Sequence, residues 1–363
     1  MNIVVSGYYG SGNGGDEAML YSILSALREK DEKLNIAVIS SNPKETAKKH
    51  GVKSIFWLDY FNISLALFNA DLLISGGGSL LQNVTSGKSL YYYLSVIALA
   101  EMLNVPVMLY AQGIGPIYGK CARRIMKFIG NKTSVITVRD EGSIKELESL
   151  EITKPQIECT ADPALSLTVK NKNIGEEILQ KANADMGKKK IGVAVREWKN
   201  WKLYKEVLAE TADVLKRDLD VEIVYIPMQK SEDVFAAREV ASLSQTGGVI
   251  LEGPYNTEEL LSIIANMDLI ISIRLHALIF AAVANVPMVG LSYDPKVGRF
   301  MKSMGETVAG HIEDLQAETL INTVKEKWEH LESIKEKNAK LMPELREKAL
   351  KNAEFALGLM KKV

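Results

Sequence analysis

The sequence is poor in the residues that cross-link small proteins or bind metals. Its 363 residues include only two cysteines, Cys121 and Cys159, and four histidines. Two cysteines cannot build a disulfide framework, and the histidines do not cluster with cysteines or carboxylates at metal-ligand spacing. We therefore expect no metal site and no cofactor, and a reducing compartment suits the chain best.

An excess of charge of one sign and a long apolar run are also missing. The 44 basic and 45 acidic residues give a net charge of -1, so no overall field draws the chain onto nucleic acid. No apolar stretch reaches the roughly 18 residues that a membrane span needs, and a strand pattern begins at once at the N-terminus. We expect a cytoplasmic protein that binds no nucleic acid, in which any anion site is local.

Short β-branched runs alternate with helical patterns along the whole chain. The predicted strands are residues 3–6, 36–40, 71–75, 107–110, 134–138 and 157–160, then 191–195, 221–226, 249–252, 269–273 and 288–292. This alternation predicts an α/β fold with parallel sheets between helices. The polar segment 170–190 is the expected linker, which predicts two Rossmann-like domains facing a cleft, over residues 1–170 and 190–363. The terminal helices should either close the second domain or pack back on the first.

The most informative stretch is Arg274-Leu275-His276, which follows the apolar run 268–273. Ligands of open α/β sheets bind beyond the carboxyl ends of the strands, and side chains two apart on a strand share a face. We therefore expect Arg274 and His276 to contact one ligand while Leu275 turns into the core. The pattern predicts an anion site with a proton donor beside it. A structural histidine that caps the next helix is the alternative for His276.

A glycine-rich loop over residues 7–17 follows the first strand and contains the spacing G-x-G-x-x-G. Such glycines let backbone amides approach a phosphate at a helix N-terminus. Asp16 and Glu17, however, place negative charge where a dinucleotide pyrophosphate would lie, and the second strand ends without an acidic residue for a ribose. A tight turn capped by Asp16 is the alternative. The candidate ligand-binding residues of this loop are Gly12, Asn13, Gly15 and Asp16.

Other predicted strands also end in glycine or in charge, at what should be the same edge of each sheet. For Arg139, a salt bridge to a neighbouring acid is an equally good interpretation. The candidate substrate-binding residues at these ends are Gly77, Gly78, Gln112, Asp162, Arg196 and Asp294, and the candidate catalytic cations are Arg139 and Lys296.

Six motifs stand in order over nearly the whole chain: the loop 7–17, Ser-Gly-Gly-Gly-Ser at 75–79, Gln-Gly-Ile-Gly-Pro at 112–116, Val-Arg-Asp-Glu at 138–141, Ser-Ile-Arg-Leu-His-Ala at 272–277 and Tyr-Asp-Pro-Lys at 293–296. Together they resemble the polysaccharide pyruvyl transferases of the CsaB type. The resemblance implies a glycosyltransferase-B-like fold and transfer of a pyruvyl group from phosphoenolpyruvate onto a sugar as a 4,6-ketal. It implies that Arg274 and His276 hold and protonate phosphoenolpyruvate, with Arg139 and Lys296 as the other basic positions.

Phosphoenolpyruvate chemistry suits these residues independently of the resemblance. Its carboxylate and phosphate match arginine and lysine donors rather than a metal cluster. Its C2 becomes electrophilic only when C3 is protonated, so a positioned acid is required, and His276 is the candidate. A base must also take the proton of the attacking hydroxyl group. Asp16, Asp162 and Asp294 all remain candidates for that base.

The acceptor is less well defined by the sequence. The resemblance implies a lipid-diphosphate-linked saccharide containing N-acetylmannosamine, made for a cell-wall polymer, with peripheral contact at the inner face of the membrane. The aromatic run 91–93 could line a sugar site, although aromatic residues on a helix more often belong to a core. A basic stripe at Lys120, Arg123, Arg124 and Lys127 suits an anionic surface or a solvated face.

Two other functions fit the same features. One is a nucleotide-sugar glycosyltransferase of the same fold, and the other is a non-catalytic module that binds sugar phosphates, because a fold does not fix an activity. The sequence does not predict an oligomeric state.

Overall fold

The computed structural model describes residues 1–84 and 87–360, with the backbone alone for Lys230. The chain forms two compact units. Unit 1 comprises Met1–Ser11, Asp16–Ser166 and the described residues from Leu345 onward, and unit 2 comprises Gly12–Gly15 and Leu167–Glu344. Each unit has its own sheet and its own apolar core.

Unit 1 is built on a seven-stranded sheet in the order β3-β2-β1-β4-β5-β6-β7, with every neighbouring pair parallel. Its elements are β1 (Asn2–Ser6), α1 (Gly14–Lys30), β2 (Asn35–Ser40), α2 (Pro43–His50), β3 (Lys53–Phe56), α3 (Tyr60–Phe68), β4 (Leu72–Ser75), α4 (Gly87–Met102), β5 (Val107–Gln112), α5 (Lys120–Gly130), β6 (Val135–Val138), α6 (Glu141–Ser149), β7 (Gln156–Cys159) and a 3-10 turn at Pro163–Ser166. Strands β4, β5 and β6 are buried along their whole length, as expected for a parallel sheet covered on both faces.

Unit 2 is built on a six-stranded parallel sheet in the order β10-β9-β8-β11-β12-β13. Its elements are α7 (Asn173–Lys181), β8 (Lys190–Ala194), α8 (Leu203–Leu219), β9 (Glu222–Tyr225), α9 (Lys230–Leu243), β10 (Val249–Ile250), α10 (Thr257–Ile264), β11 (Leu269–Ser272), α11 (Leu275–Val283), β12 (Met288–Ser292), α12 (Pro295–Ser303), β13 (Gly310–His311), α13 (Ala317–Glu329) and α14 (Leu331–Met360), which continues into the C-terminal segment of unit 1.

The strand order reverses once in each sheet, between β1 and β4 in unit 1 and between β8 and β11 in unit 2. Crevices at such reversals are where open α/β sheets bind ligands. The predicted fold class, a parallel α/β architecture with two Rossmann-like sheets, is confirmed. Within the described ranges, the search for a helix of sufficient length and apolar character to cross a membrane finds none.

The segment expected to be the linker, residues 170–190, contains helix α7. This helix packs closely on α10, where the Gly175 N–H donates to Ser262 Oγ at 2.6 Å. A Cβ atom on Gly175 would lie 2.3 Å from the carbonyl oxygen of Ser262, so only glycine permits this approach. The polar composition of the segment reflects the outer face of a helix whose inner residues, such as Leu179, are buried.

Two chain segments group differently from a simple division at the middle of the sequence. Gly12–Gly15 group with unit 2, because the Gly14 N–H donates to the Met228 carbonyl oxygen at 2.7 Å. The end of α14 groups with unit 1, where the buried side chain of Asn352 accepts from Thr160 Oγ1 at 2.8 Å and donates to the Ala161 carbonyl oxygen at 3.2 Å.

Candidate functional site

The strand ends of unit 2 bring three cationic side chains to one edge of the sheet. Arg196 follows β8 and Arg274 follows β11, and these two strands flank the reversal of strand order. Lys296 lies in the first turn of α12, directly after β12, which pairs with β11. Parallel strands end at a common edge, so residues distant in sequence are neighbours here.

The strand before Arg274 and His276 is shorter than the sequence predicts. Strand β11 ends at Ser272, and Leu275 already begins α11, so Arg274 is the N-cap residue and His276 lies in the first turn. The expected burial of Leu275 does occur, at 6 % exposure, but inside a helix. His276 is half-buried at the N-terminal end of α11, where the helix dipole favours a bound anion.

Arg274 is held by a buried carboxylate that the sequence did not predict. Its Nε donates to Asp233 Oδ2 at 3.0 Å and its Nη2 donates to Asp233 Oδ1, while Nη2 also lies 3.4 Å from Gln229 Oε1. The side chain of Asp233 is fully buried in α9. Two hydrogen bonds between one carboxylate and one guanidinium fix the orientation of the guanidinium plane.

Asp233 also organises the loop before its own helix. Its Oδ2 accepts from the backbone N–H groups of Met228 and Gln229, each at 3.0 Å. Met228 in turn accepts from the Gly14 N–H, and Gln229 forms an isolated antiparallel bridge with Asn13. Asp233 therefore connects Arg274 with the glycine loop at Gly12–Gly15.

The glycine loop packs against His276 rather than forming an open cradle. Asn13 Oδ1 accepts from the Gly15 N–H at 3.0 Å, and Gly12 has a φ of +76°, which favours glycine. A Cβ atom on Gly15 would lie 2.2 Å from His276 Nδ1. The last glycine of the G-x-G-x-x-G spacing, Gly15, therefore allows the backbone to pack closely against the imidazole of His276.

We expect Gly15→Ala to lower turnover about ten- to a hundredfold, because a displaced imidazole loses its alignment with a substrate and misplacement by about 1 Å can cost 10²-fold. Steady-state kinetics of the variant is the measurement. Gly358→Ala is the matched control, since Gly358 lies in α14 with open space where a Cβ would stand. Unchanged kinetics for Gly15→Ala would show that the position of His276 does not matter.

A second cluster in unit 2 surrounds Tyr293. Arg196 Nη1 donates to the Tyr293 hydroxyl oxygen at 2.8 Å, and the guanidinium carbon lies 4.8 Å from the Tyr293 ring and 4.9 Å from the Trp198 ring. Lys296 Nζ lies 5.2 Å from the Tyr293 ring centroid. Arg196 Nε is buried and has no hydrogen-bond partner within the part of the chain that the structure describes. A buried guanidinium N–H without a partner is costly, which points to an anion that would complete the site.

The electrostatic field of this cluster acts on the Tyr293 phenol. Burial raises the pKa of Tyr293, but the positive charges of Lys296 and Arg196, with a smaller effect of Arg274, outweigh burial and leave the pKa below its usual value. Asp294 caps α12 by accepting from the Lys296 N–H at 3.0 Å, and its Oδ2 lies 3.9 Å from Lys296 Nζ.

Unit 1 holds the other candidate cation, Arg139, which follows β6. Its Nη1 donates to Asp162 Oδ2 at 2.7 Å and its Nη2 donates to Ser79 Oγ at 3.1 Å, with both charged side chains buried. The salt bridge considered for Arg139 is therefore present. A Cβ on Gly113 would lie 3.0 Å from Arg139 Nη2, so the glycine after β5 makes room for this guanidinium.

The remaining candidates of unit 1 lie around the reversal between β1 and β4. Gln112 is fully buried, and its Nε2 donates to the carbonyl oxygens of Ser75 and Gly76 at 3.1 and 2.8 Å. Gly77 and Gly78 are buried, and a Cβ on Gly78 would lie 3.6 Å from Asp16 Oδ1, in the first turn of α1. Gln112 thus has a structural role, holding the glycine-rich end of β4.

The two segments considered for the acceptor serve mainly the core and surface ion pairs. Tyr93 is buried, and Tyr92 stacks edge-on against Trp57 at 5.1 Å. Arg123 donates to the Ser149 carbonyl oxygen, and Lys127 pairs with Glu151. The solvated face is therefore the better description of most of the basic stripe.

The two parallel sheets with basic strand ends define a glycosyltransferase-B-like α/β protein. Similar solved structures include the UDP-GlcNAc 2-epimerase from Neisseria meningitidis bound to UDP-GlcNAc (TM-score 0.68, 11% identity, covering 100% of both chains). A putative UDP-N-acetylglucosamine 2-epimerase from Listeria monocytogenes has a TM-score of 0.69 and 12% identity and covers 99% of this chain and 96% of its own. HepE from Anabaena in complex with UDP-glucose has a TM-score of 0.67 and 11% identity, covering 100% of both chains. At these low sequence identities, the similarity shows that the folds are alike and nothing further.

The chain belongs to the polysaccharide pyruvyl transferase family, whose family model matches residues 13–295. The family resemblance predicted from the six motifs is thus confirmed, and the protein is a transferase by family. Comparison with curated protein sequences finds no significant match.

Proposed function

We propose that the protein transfers a pyruvyl group from phosphoenolpyruvate to a saccharide, forming a 4,6-ketal and releasing phosphate. The observation that carries the proposal is the convergence of Arg196, Arg274 and Lys296 in unit 2, with a buried Arg196 N–H for which the described residues provide no hydrogen-bond partner. A donor with both a carboxylate and a phosphate matches such a site, because guanidinium groups bind these anions through paired hydrogen bonds.

The proposed chemistry begins at His276. This residue protonates C3 of phosphoenolpyruvate, and the resulting positive character at C2 accepts the first sugar hydroxyl group. The second hydroxyl group then displaces the phosphate from C2 and closes the ketal ring. Arg274, oriented by Asp233, holds the donor anion while its charge changes. Acid, base and cations suffice for these steps, so we expect turnover without an added cofactor.

For the acceptor, we propose a lipid-diphosphate-linked saccharide containing N-acetylmannosamine, and we assign it to unit 1. Arg139 beside Asp162 is the proposed polar contact, and Gly113 at the end of β5 makes room for its guanidinium group. Peripheral contact with the cytoplasmic face of a membrane fits the exposed rings of Phe61, Phe68 and Phe128.

A nucleotide-sugar enzyme is the second candidate, because the similar folds include structures titled as UDP-GlcNAc 2-epimerase and as a UDP-glucose complex. A thermal-shift comparison separates the two, since a ligand stabilises the state that binds it. We expect phosphoenolpyruvate to raise the melting temperature and UDP-sugars to leave it unchanged.

Product analysis completes this test. We expect phosphate release from phosphoenolpyruvate only when a saccharide with free 4- and 6-hydroxyl groups is present, with a product whose mass increases by one pyruvyl ketal. Stabilisation by UDP-sugars without phosphoenolpyruvate-dependent phosphate release would overturn the proposed function. Phosphoenolpyruvate binding without any product from a range of acceptors would favour the non-catalytic module.

A further inference from the structure

The proposed reaction needs a base, and the carboxylates considered for that role are Asp16, Asp162 and Asp294. Both oxygens of Asp162 are engaged, one by Arg139 and one by the Ala164 N–H at 3.1 Å. Asp294 accepts the Lys296 N–H and faces the Lys296 ammonium group. These contacts engage the oxygens that would have to accept the hydroxyl proton. Asp16 lies in the first turn of α1, directly after the glycine loop.

The phenol of Tyr293 also faces donors and cations, but a tyrosine is a strong base once it is ionised. Arg196 can only donate, so its 2.8 Å hydrogen bond uses the Tyr293 oxygen as the acceptor. Lys296, which also carries donors only, lies over the same ring. The ring itself is fixed against Trp198, with 4.7 Å between centroids. The geometry therefore presents a phenol oxygen in its proton-accepting role, on a rigid support.

The charged groups that face Tyr293 come from three strand ends. They are Arg196 after β8, Arg274 after β11, and Lys296 with Asp294 after β12. Arg274 is already balanced by Asp233, and Asp294 partly balances Lys296. Arg196 remains the least compensated of the cations. When a donor anion binds among these cations, it neutralises their field and increases the basicity of the phenolate at the moment when a base is needed.

We propose that Tyr293 is the general base that deprotonates the first attacking hydroxyl group of the acceptor, an inference that rests on the proposed function. The hydroxyl proton passes to the Tyr293 oxygen as the C–O bond to C2 forms, while His276 gives its proton to C3. The second hydroxyl proton leaves with the departing phosphate, which is released as inorganic phosphate. Tyr293 and His276 then exchange one proton with solvent, so the enzyme returns to its starting state.

The first test measures ionisation directly, without substrate. In a tyrosinate absorbance titration, we expect one tyrosine of the wild-type protein to ionise below the usual range, because cations surround Tyr293. Tyr293→Phe should remove this early transition. Tyr225→Phe is the matched control, because Tyr225 is another buried tyrosine of unit 2 and burial raises its pKa. Tyr225 therefore does not contribute to the early transition, and Tyr225→Phe should retain that transition.

The second test measures turnover against pH. A base must be deprotonated, so kcat/KM, which reports the free enzyme, should rise with pH through the lowered pKa of Tyr293 in the wild type and in Tyr225→Phe. Tyr293→Phe should lose this rise and about a hundredfold in kcat, with phosphoenolpyruvate affinity within a few fold, since the ring that supports Arg196 is retained.

The outcomes separate the inference from the proposed function. An early tyrosine transition that persists in Tyr293→Phe overturns the inference, and so does a kcat/KM profile that keeps its rise with pH in this variant. Loss of donor affinity with normal kcat also overturns it, because it assigns Tyr293 to binding. If the wild-type protein itself releases no phosphate with any acceptor, the proposed function fails, and the absorbance titration still reports the state of Tyr293.

Discussion

Replacing His276 with glutamine is expected to lower turnover about 10²- to 10⁴-fold, the range typical of lost general-acid catalysis. Glutamine keeps a hydrogen-bonding group at the first turn of α11 but cannot deliver a proton to C3. The affinity for phosphoenolpyruvate should stay within a few fold, because the proposed donor contacts at Arg196, Arg274 and Lys296 are retained. Calorimetry for donor binding and a phosphate-release assay on the same variant are the measurements.

The location of His276 gives a reason for coupling between binding and protonation. The N-terminal end of α11 attracts negative charge, so we expect the anionic donor of the proposed reaction to bind beside His276. In that position its negative charge would favour the protonated imidazole that the proposed transfer to C3 requires.

Arg274→Lys is the contrasting variant for His276→Gln. Lysine cannot reproduce the two hydrogen bonds to Asp233 or a paired contact with the donor. We therefore expect Arg274→Lys to lower the affinity for phosphoenolpyruvate more than it lowers kcat. Near-normal turnover of His276→Gln would show that this histidine is a structural residue of the helix start. The acid would then have to be found elsewhere in the chain.

The residues at the strand ends of both sheets could be predicted from the sequence, because they directly follow buried strands. Continuous apolar runs such as 71–75 and 269–273 predict interior strands, and the residue after each run must lie at the ligand-binding edge. Arg139, Arg196 and Arg274 were found in this way. Strand β3 was missed because it is a short edge strand whose pattern, Lys-Ser-Ile-Phe, is only partly buried.

Other features depend on contacts between distant residues and leave no local signal. Asp233 lies on a helix, 41 positions before Arg274 in the sequence. Together with Glu232 it matches the pattern of an exposed, acidic first turn of a helix. The end of β11 is a further example, since it comes at Ser272 and not at the expected Ile273. There the Ser272 hydroxyl group donates to the Arg274 carbonyl oxygen at 2.8 Å, a contact that the sequence does not reveal.

Asp233→Ala should destabilise the protein by about 3–5 kcal/mol, the usual cost of removing one partner of a buried ion pair. The substitution leaves the guanidinium of Arg274, whose side chain is 8 % exposed, without its carboxylate and removes the acceptor of the Met228 and Gln229 N–H groups. Urea unfolding followed by tryptophan fluorescence measures this, since Trp198, Trp201 and Trp328, three of the four tryptophans, lie in unit 2. The variant should also lose donor binding, because Arg274 loses its fixed orientation.

Two further variants separate the buried pair from ion pairing in general. Glu252→Ala removes the partner of Arg238 from a pair whose side chains are 60% and 65% exposed, and it should cost less than about 1 kcal/mol. The double variant Asp233→Leu with Arg274→Met replaces both charges by apolar groups and should recover most of the lost stability, because no uncompensated charge remains. If Asp233→Ala unfolds at the same urea concentration as the wild type, the guanidinium must find another partner, and the orientation of Arg274 does not depend on α9.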